Sequence, residues 1–337
     1  MKALVIRRPG EAVIENVAEP RPQPEQILLR VQMIGLCGSD LNSYRGKNPL
    51  VRYPRIPGHE IAATILQAHA ARSDLKIGTN VTLSPYTNCG KCASCRRGRA
   101  NACEFNETLG VQRDGALLEQ IWAPPAKLHT ANLSIQALCL VEPLTVGFHA
   151  VSRGRVQSGD TVAVFGCGGV GLGAIAASHF AGARTIAVDL DDHKLEIARS
   201  AGTARTVNIA REPLHERLLQ WTETRGPDVV IEAVGLPETF RAAVEEVAFT
   251  GRVVYIGYAK EPVAYETRPF VQKELDILGS RNATPADFAR VIAMLETGRF
   301  PVEQAVGTIV SLEQAPSILR QWSEEPGRFT KIMVSLD

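Results

Sequence analysis

The chain has 337 residues, and its 37 lysines and arginines against 36 aspartates and glutamates leave a formal net charge of +1. This balance offers no broad positive field, so we expect neither nucleic-acid binding nor attraction to an anionic membrane. Hydrophobic residues make up 45% and charged residues 22%, which excludes disordered and collagen-like classes and, at this length, predicts about two domains.

Cysteine usage and the opening residues indicate a compartment. Residues 1–8 contain no apolar core long enough for a signal peptide. The seven cysteines are an odd number, and four of them crowd into residues 89–103. In a chain that is not exported, this pattern favours metal binding over disulfides. We therefore expect a cytoplasmic protein.

Two styles of secondary structure follow one another along the chain. The first 150 residues read as short β-type runs broken by turns, at 3–6, 26–33, 61–66 and 80–83. From about residue 159, predicted strands alternate with predicted helices; the strands lie at 161–165, 184–188, 228–232 and 251–256. This alternation predicts a parallel, doubly wound sheet. A helix at about 286–297 and a mixed tail follow, which we expect to pack on the N-terminal part.

One uncharged stretch is long enough to suggest a membrane span. Residues 161–183 contain no formally charged side chain over 23 positions. The stretch holds six glycines and His179, and it divides into a β-rich run, a glycine-rich turn and an alanine-rich helix. We therefore interpret it as part of the sheet domain and expect no membrane partner.

The glycine-rich turn fits a dinucleotide-binding motif. Residues 166–171 read GCGGVG between a predicted strand and a predicted helix, where glycines allow a tight turn and close approach of the pyrophosphate. Asp189 follows 21 residues after Gly168, at the position that binds ribose hydroxyls and repels a 2′-phosphate. NAD is thus favoured over NADP. The cofactor-binding residues predicted here are Gly166, Gly168, Gly169, Val170, Gly171, Asp189 and Gly257.

A four-cysteine lobe at about 86–106 predicts a structural zinc site. Its ligands follow the spacing C-x2-C-x2-C-x7-C, and four thiolates close a tetrahedral zinc without an open position. A redox dithiol and a nucleic-acid zinc ribbon are the alternatives for this lobe. The predicted ligands are Cys89, Cys92, Cys95 and Cys103.

A second, dispersed set combines a thiol, an imidazole and carboxylates. It consists of Cys37, His59, Glu60 and Glu142. Such a mixed set suits a zinc ion that keeps one coordination position for water or substrate.

Together these motifs resemble the zinc-dependent medium-chain alcohol dehydrogenases. The matching segments are CGSD at 37–40, GHE at 58–60, the cysteine lobe, EP at 142–143 and the glycine turn. The resemblance covers essentially the whole chain and is strongest to the sorbitol dehydrogenase-like polyol and sugar-acid branch, of the L-galactonate or L-idonate type. It implies an α/β architecture in which a GroES-like β-rich catalytic domain, 1–148 with 286–337, is interrupted by a Rossmann domain, 149–285.

The resemblance also implies roles for individual residues. Cys37, His59 and Glu60 would hold catalytic zinc, with Glu142 as a further ligand or acting through a water. Ser39 would receive the substrate proton. A histidine that relays protons in many alcohol dehydrogenases is replaced by Asn42, which favours a water route. The active site is expected in the cleft between the domains, and the chain is expected to form a homodimer or homotetramer.

Substrate residues are predicted after the last strand of the sheet. The segment GSRNAT at 279–284 resembles that of sugar-acid and polyol enzymes, which would place Arg281 and Asn282 near nicotinamide and substrate. Arg281 could instead anchor only the cofactor, and Tyr44 could line the pocket or merely pack. The predicted reaction moves a hydride from a secondary hydroxyl of a polyol or sugar acid to NAD. A threonine-type amino-alcohol dehydrogenase and a non-catalytic zinc- and NAD-binding redox sensor are the alternatives.

Overall fold

A computed structural model describes residues 1–22, 24–67 and 72–336. The chain divides into two compact units, one made of Met1–Glu142 with the C-terminal residues from Val302, the other of Pro143–Pro301. We predicted that the chain returns to the catalytic domain at 286, whereas helix Pro285–Glu296 belongs to the second unit.

The first unit is built mainly of antiparallel strands. In chain order its elements are β1 (Lys2–Arg8), β2 (Glu11–Asn16), β3 (Ile27–Leu36), α1 (Gly38–Tyr44), β4 (Glu60–Ile65), β5 (Asn80–Leu83), α2 (Ala93–Arg96), β6 (Gln120–Ala123) and β7 (Leu128–Thr130). β1 and β2 form a two-stranded sheet, and β3 to β7 belong to a seven-stranded sheet. The core of this unit packs aliphatic residues from both sheets, among them Leu4, Ile34 and Ile61.

Helix α3 (Ile135–Arg153) was not predicted among the β-type runs. Its length and apolar composition would allow it to cross a membrane, but 78% of its most apolar window is buried inside the protein. α3 is therefore a core helix. It begins in the first unit and continues into the second, with Pro143 inside it.

The second unit is a parallel sheet with intervening helices, as the alternation predicted. Its elements are β8 (Thr161–Phe165), α4 (Gly169–Phe180), β9 (Arg184–Asp189), α5 (Asp192–Ser200), β10 (Arg205–Asn208), α6 (Leu214–Trp221), β11 (Val229–Glu232), α7 (Pro237–Glu246), β12 (Arg252–Tyr255), α8 (Arg268–Gln272), β13 (Asp276–Gly279) and α9 (Pro285–Glu296). The strand order is β10-β9-β8-β11-β12-β13, all parallel. The order reverses between β8 and β11, and dinucleotides bind at such a switch point.

The uncharged run at 161–183 forms β8, the glycine turn and α4, so its interpretation as sheet domain is confirmed. Every residue of β8 is buried, as expected for a central parallel strand covered on both faces.

The last elements return the chain to the seven-stranded sheet of the first unit. They are α10 (Val302–Ala305), β14 (Thr308–Ser311), α11 (Ala315–Glu324) and β15 (Ile332–Ser335). β15 pairs antiparallel with β3, and Ile332 lies opposite Leu36. This pairing places the C-terminal strand beside the end of β3.

A buried carboxylate stabilises the start of α9. Asp287 accepts hydrogen bonds from Thr284 N at 2.8 Å and from Thr284 Oγ1 at 2.7 Å, and its Oδ2 lies 2.9 Å from His149 Nδ1 on α3. Burial alone would raise the pKa of Asp287, but the hydrogen bonds from His149 and Thr284 lower it to about 2.

We predict that Asp287 makes the protein acid-sensitive over a defined range. A carboxyl whose pKa is lower in the folded state contributes stability above its unfolded pKa near 4 and loses it as pH falls to about 2. Asp287→Asn should lower the free energy of unfolding at pH 7 by ~2 kcal/mol and flatten its decline below pH 4. Urea titrations from pH 7 to pH 2 measure both effects. The exposed Asp276→Asn is the control, and an unchanged pH profile in Asp287→Asn would contradict the prediction.

Candidate active site

A cluster of a thiol, an imidazole and a carboxylate lies where β3 and β4 meet. Cys37 directly follows β3 and caps the N-terminus of α1, while His59 precedes Glu60, the first residue of β4. Antiparallel pairing places Gly35 opposite Glu60, which brings the end of β3 beside the start of β4. One ligand atom from each of Cys37, His59 and Glu60 lies within 4.8 Å of the others.

Gly35 leaves the space that the Glu60 carboxylate occupies. A Cβ atom on residue 35 would lie only 2.0 Å from Glu60 Oε2, so any side chain there would push the carboxylate out of the cluster. A glycine inside a strand often marks such a close approach.

Asp40 holds the two segments that carry the cluster. Its Oδ2 accepts a hydrogen bond from Cys37 N at 2.9 Å, and its Oδ1 accepts one from Gly58 N at 3.2 Å. Oδ1 also lies 3.8 Å from His59 Nδ1. A carboxylate beside a ligand histidine orients the ring and increases its basicity. Ser39, one residue before Asp40, places its Oγ 3.5 Å from His59 Nε2.

The groups around His59 create a negative environment that favours binding of a cation. Burial by itself lowers the pKa of His59, but Asp40, Cys37 and Glu142 together raise it well above its usual value. The surroundings are thus strongly negative although the ring is buried. A thiolate, an imidazole and a carboxylate are the donors that zinc takes in sites with an open position, so these residues fit a catalytic zinc ion.

Lys331, which the sequence analysis missed, forms an ion pair with Glu60. Its Nζ contacts Glu60 Oε2 and donates to Leu36 O at 3.2 Å, and the side chain is buried. Burial lowers the pKa of Lys331, but Glu60 and Cys37 outweigh that effect and raise it. No local pattern marks this lysine, because only the pairing of β15 with β3 brings it to the cluster.

Glu142 is not one of the three clustered donors and bonds with Tyr86. It sits on α3, buried, and the Tyr86 hydroxyl donates to its Oε1. Burial and the neighbouring Glu60 raise the pKa of Glu142 to about 7, against the opposing effects of His59 and Tyr86. The three clustered donors do not include Glu142, so its part in binding zinc stays a prediction.

The four cysteines of the predicted lobe form a second cluster. Cys89 Sγ and Cys103 Sγ accept hydrogen bonds from backbone N–H groups at 3.3 Å, and Cys92 Sγ lies 3.8 Å from Cys103 Sγ. Four thiolates at the ~2.3 Å zinc–sulfur distance form a tetrahedron whose edges are ~3.8 Å, so this spacing fits zinc. A hydrogen bond with Ser94 contributes most to lowering the pKa of Cys92 to about 5, whereas burial contributes most to raising the pKa of Cys95 to about 11. None of the seven cysteines forms a disulfide.

The glycine turn has the geometry of a dinucleotide-binding loop. Gly166 has φ +92°, and a Cβ atom on Gly171 would lie 1.8 Å from Gly166 O. Gly168 caps the N-terminus of α4, where free N–H groups attract phosphate. Asp189 ends β9, and its Oδ2 accepts a hydrogen bond from Cys167 N at 2.7 Å, so it lies beside the turn.

Other predicted residues occupy different surroundings. Gly257 and Arg281 follow β12 and β13, at the same carboxyl edge of the parallel sheet as the glycine turn. Asn282 has φ +53° in the segment before α9. Tyr44 belongs to the hydrophobic core of the first unit and donates its hydroxyl to Gly10 O at 3.0 Å, which favours packing over substrate contact.

Both halves of the chain match known protein families. Residues 23–132 match the alcohol dehydrogenase GroES-like domain, and residues 169–297 match the zinc-binding dehydrogenase family.

Curated relatives match nearly end to end. The chain is 35% identical to an uncharacterized zinc-type alcohol dehydrogenase-like protein of Haemophilus influenzae, covering 98% of both chains. It is 31% identical to L-galactonate-5-dehydrogenase of Escherichia coli K12, over 90% of this chain and 89% of the relative. It is 32% identical to sorbitol dehydrogenase of Bacillus subtilis, over 99% and 97%.

A solved structure extends the likeness to the fold and to the cofactor of a relative. The NADH complex of a protein described as a short-chain alcohol dehydrogenase (RspB) of E. coli CFT073 superimposes with a TM-score of 0.91. It is 26% identical and covers 100% of this chain and 99% of its own. The GroES-like and Rossmann folds are thereby confirmed. The two metal clusters of this chain, its family and the NADH complex of the relative identify zinc and NAD as its cofactors. The chain belongs to the zinc-dependent medium-chain alcohol dehydrogenases, in the branch that resembles sorbitol and galactonate dehydrogenases.

Proposed function

We propose that the protein oxidises a secondary hydroxyl of a polyol or sugar acid to a ketone and passes the hydride to NAD. The observation that carries this proposal is the Cys37, His59 and Glu60 cluster with Ser39 beside it. The relatives named for sorbitol and L-galactonate support the substrate class. The substrate would thus carry several hydroxyls, with or without a carboxylate.

The residues in and around the cluster have different proposed roles in deprotonating the substrate hydroxyl. Zinc, when bound by Cys37, His59 and Glu60, supplies a Lewis acid that lowers the pKa of the reacting hydroxyl. Ser39 is the proposed first acceptor of the substrate proton, because its hydroxyl lies next to His59. From Ser39 the proton passes to water, since Asn42 stands where many relatives of this type relay it through histidine. Asp40 keeps the ring of His59 and the backbone of Cys37 in place.

An NAD-reduction screen tests the proposed function. Hexitols, hexonates and short amino alcohols are offered to the zinc-loaded enzyme, and NADH is followed by absorbance. We expect the highest kcat/KM on a hexitol or hexonate. Preference for threonine-like amino alcohols would contradict the proposal in favour of an amino-alcohol dehydrogenase, and no turnover on any alcohol would favour a redox sensor.

Arg281 is proposed to bind the substrate. Arginine carries a planar, permanently charged fork that holds a carboxylate or vicinal hydroxyls through paired hydrogen bonds. We predict that Arg281→Ala raises KM for substrate by roughly thirtyfold, or about 2 kcal/mol, and leaves KM for NAD nearly unchanged. Arg281→Lys, which keeps the charge without the fork, should fall in between. Equal losses for substrate and NAD would show that Arg281 anchors the cofactor instead.

Asp189 is proposed to select NAD over NADP. A carboxylate at the end of β9 would accept hydrogen bonds from ribose hydroxyls and repel a 2′-phosphate. We predict that the wild-type enzyme prefers NAD in kcat/KM and that Asp189→Ala reduces the preference by about tenfold, equal to ~1.4 kcal/mol. Asp189→Asn separates charge from hydrogen bonding, because it keeps an acceptor toward Cys167 N. A wild-type preference for NADP would refute this role.

The assembly and compartment are also proposals. β13 is the terminal strand of the six-stranded sheet, and three of its four residues are exposed. An open strand edge of this kind supports a homodimer or homotetramer. The seven cysteines, all within the part of the chain that the structure describes, form no disulfide, as is usual in a reducing compartment, and this supports a cytoplasmic location.

A further inference from the structure

A buried glutamate that the sequence analysis passed over lies at the carboxyl end of β11. Glu232 is fully buried, and its Oε1 accepts hydrogen bonds from Val234 N at 2.8 Å and Gly235 N at 2.7 Å. The Thr239 hydroxyl on α7 lies 2.8 Å from the same oxygen. One carboxylate oxygen thus ties the loop that follows β11 to the start of α7.

The second carboxylate oxygen of Glu232 has no hydrogen-bond donor among the described residues. Oε2 is buried and accepts no hydrogen bond from any described residue, and no ion pair in the described part of the chain involves Glu232. Burying an acceptor without a donor destabilises the fold, so packing alone would favour an uncharged side chain here. A buried polar atom without a protein donor calls for an explanation, and a functional role is one.

The main chain of Glu232 also joins the loop after β12. Glu232 O accepts hydrogen bonds from Ile256 N at 2.9 Å and from Gly257 N at 3.3 Å. A Cβ atom on Gly257 would lie 2.5 Å from Glu232 Oε2 and 2.5 Å from Gly235 N. The carboxylate therefore lies between the loop at 233–235 and Gly257, and a larger residue at 257 would displace it.

The loop at 233–235 also contacts the glycine turn at 166–171. A Cβ atom on Gly166 would lie 2.8 Å from Val234 Cγ2, and Ala233 N donates to Phe165 O at 2.9 Å. Loops after three neighbouring strands, β8, β11 and β12, thus pack together around Glu232. In a doubly wound sheet the dinucleotide crosses the switch point, with its adenosine half on the β8–β9 side. The nicotinamide half then lies toward the loops after β11 and β12.

We propose that Glu232 is a positioning residue for the nicotinamide half of NAD. Its carboxylate holds the loop at 233–235 against Gly257 and Gly166 in the arrangement that receives the nicotinamide nucleotide. It touches neither the adenosine half nor the substrate. This inference rests on the NAD site and is independent of which alcohol the enzyme oxidises.

Two ligands separate this role from a general structural one. NADH carries both halves of the dinucleotide, whereas AMP is the adenosine half alone. We expect Glu232→Ala to weaken NADH binding by at least about tenfold and to change AMP binding by less than about twofold. Glu232→Gln keeps one acceptor for Val234 N and Gly235 N, so its loss of NADH affinity should be smaller.

Titration calorimetry on the zinc-loaded protein gives both dissociation constants without any substrate. The emission maximum of bound NADH reports separately on the surroundings of the nicotinamide. Glu238→Gln, an exposed glutamate on the same loop-and-helix segment, is the matched control and should change neither constant. Equal weakening of NADH and AMP would overturn the proposal, and so would unchanged NADH binding in both Glu232 variants. If Glu232→Ala fails to fold, Glu232→Gln decides alone: unchanged NADH affinity and emission overturn the proposal. Because no substrate is present, a wrong substrate class leaves the result untouched.

Discussion

Cys103→Ser is expected to remove one of two zinc equivalents and to destabilise the protein strongly. Four thiolates hold the ion of the cysteine lobe, and structural zinc binds with apparent free energies of ~10 kcal/mol or more. We therefore expect a loss of at least ~3 kcal/mol in the free energy of unfolding. Elemental analysis and urea denaturation measure the two effects on the same preparation.

Cys37→Ser is the matched variant in the other cluster. It should also lose one zinc equivalent, but with a much smaller change in stability, because Lys331 still pairs with Glu60 and Asp40 still bonds Gly58 N. Its kcat should fall by at least about a thousandfold, since the Lewis acid is lost. A stable wild-type protein without zinc would contradict both expectations. A Cys103→Ser variant that keeps two equivalents would contradict the first, and a Cys37→Ser variant that keeps two would contradict the second.

Lys331→Met is expected to destabilise the protein without catalytic zinc far more than the protein that holds it. Removing one partner of a buried ion pair leaves an uncompensated charge, which typically costs 3–5 kcal/mol, so we expect a loss of roughly that size without metal. Bound zinc supplies another positive charge to Glu60 and should offset a large part of the loss. Urea denaturation of Lys331→Met in the wild-type background and in the Cys37→Ser background, which loses only the catalytic zinc, measures the difference.

An exposed lysine pair provides the control for Lys331. Lys2 pairs with Glu313 at 2.8 Å on the surface, and Lys2→Met should change stability little in either metal state, because surface pairs are weak. Cobalt substitution adds a readout, since its visible spectrum reports the ligand geometry. If Lys331→Met lowers stability equally with and without the catalytic zinc, and the cobalt spectrum is unchanged, Lys331 does not act on the metal site.

Much of this protein could be predicted from local patterns. The glycine turn, the cysteine spacing and the alternation of strands and helices depend on residues close together in the chain. Local propensity and turn geometry decide such features, so β8, the turn and α4 form where they were predicted. The joint membership of Cys37, His59 and Glu60 in one metal cluster came from the family resemblance, and the structure brings these residues together.

The tertiary structure alone decided the partners of those residues. Lys331 reaches Glu60 through the pairing of β15 with β3, and Tyr86 reaches Glu142 through the packing of α3. Glu232 gains its position from three loops that follow three different strands. The ligands of the cysteine lobe and the glycine turn are visible in sequence because metal and cofactor chemistry demands particular residue types at short spacings there. The buried charges that hold these ligands come from distant segments, and which of them meet is determined by strand order and register.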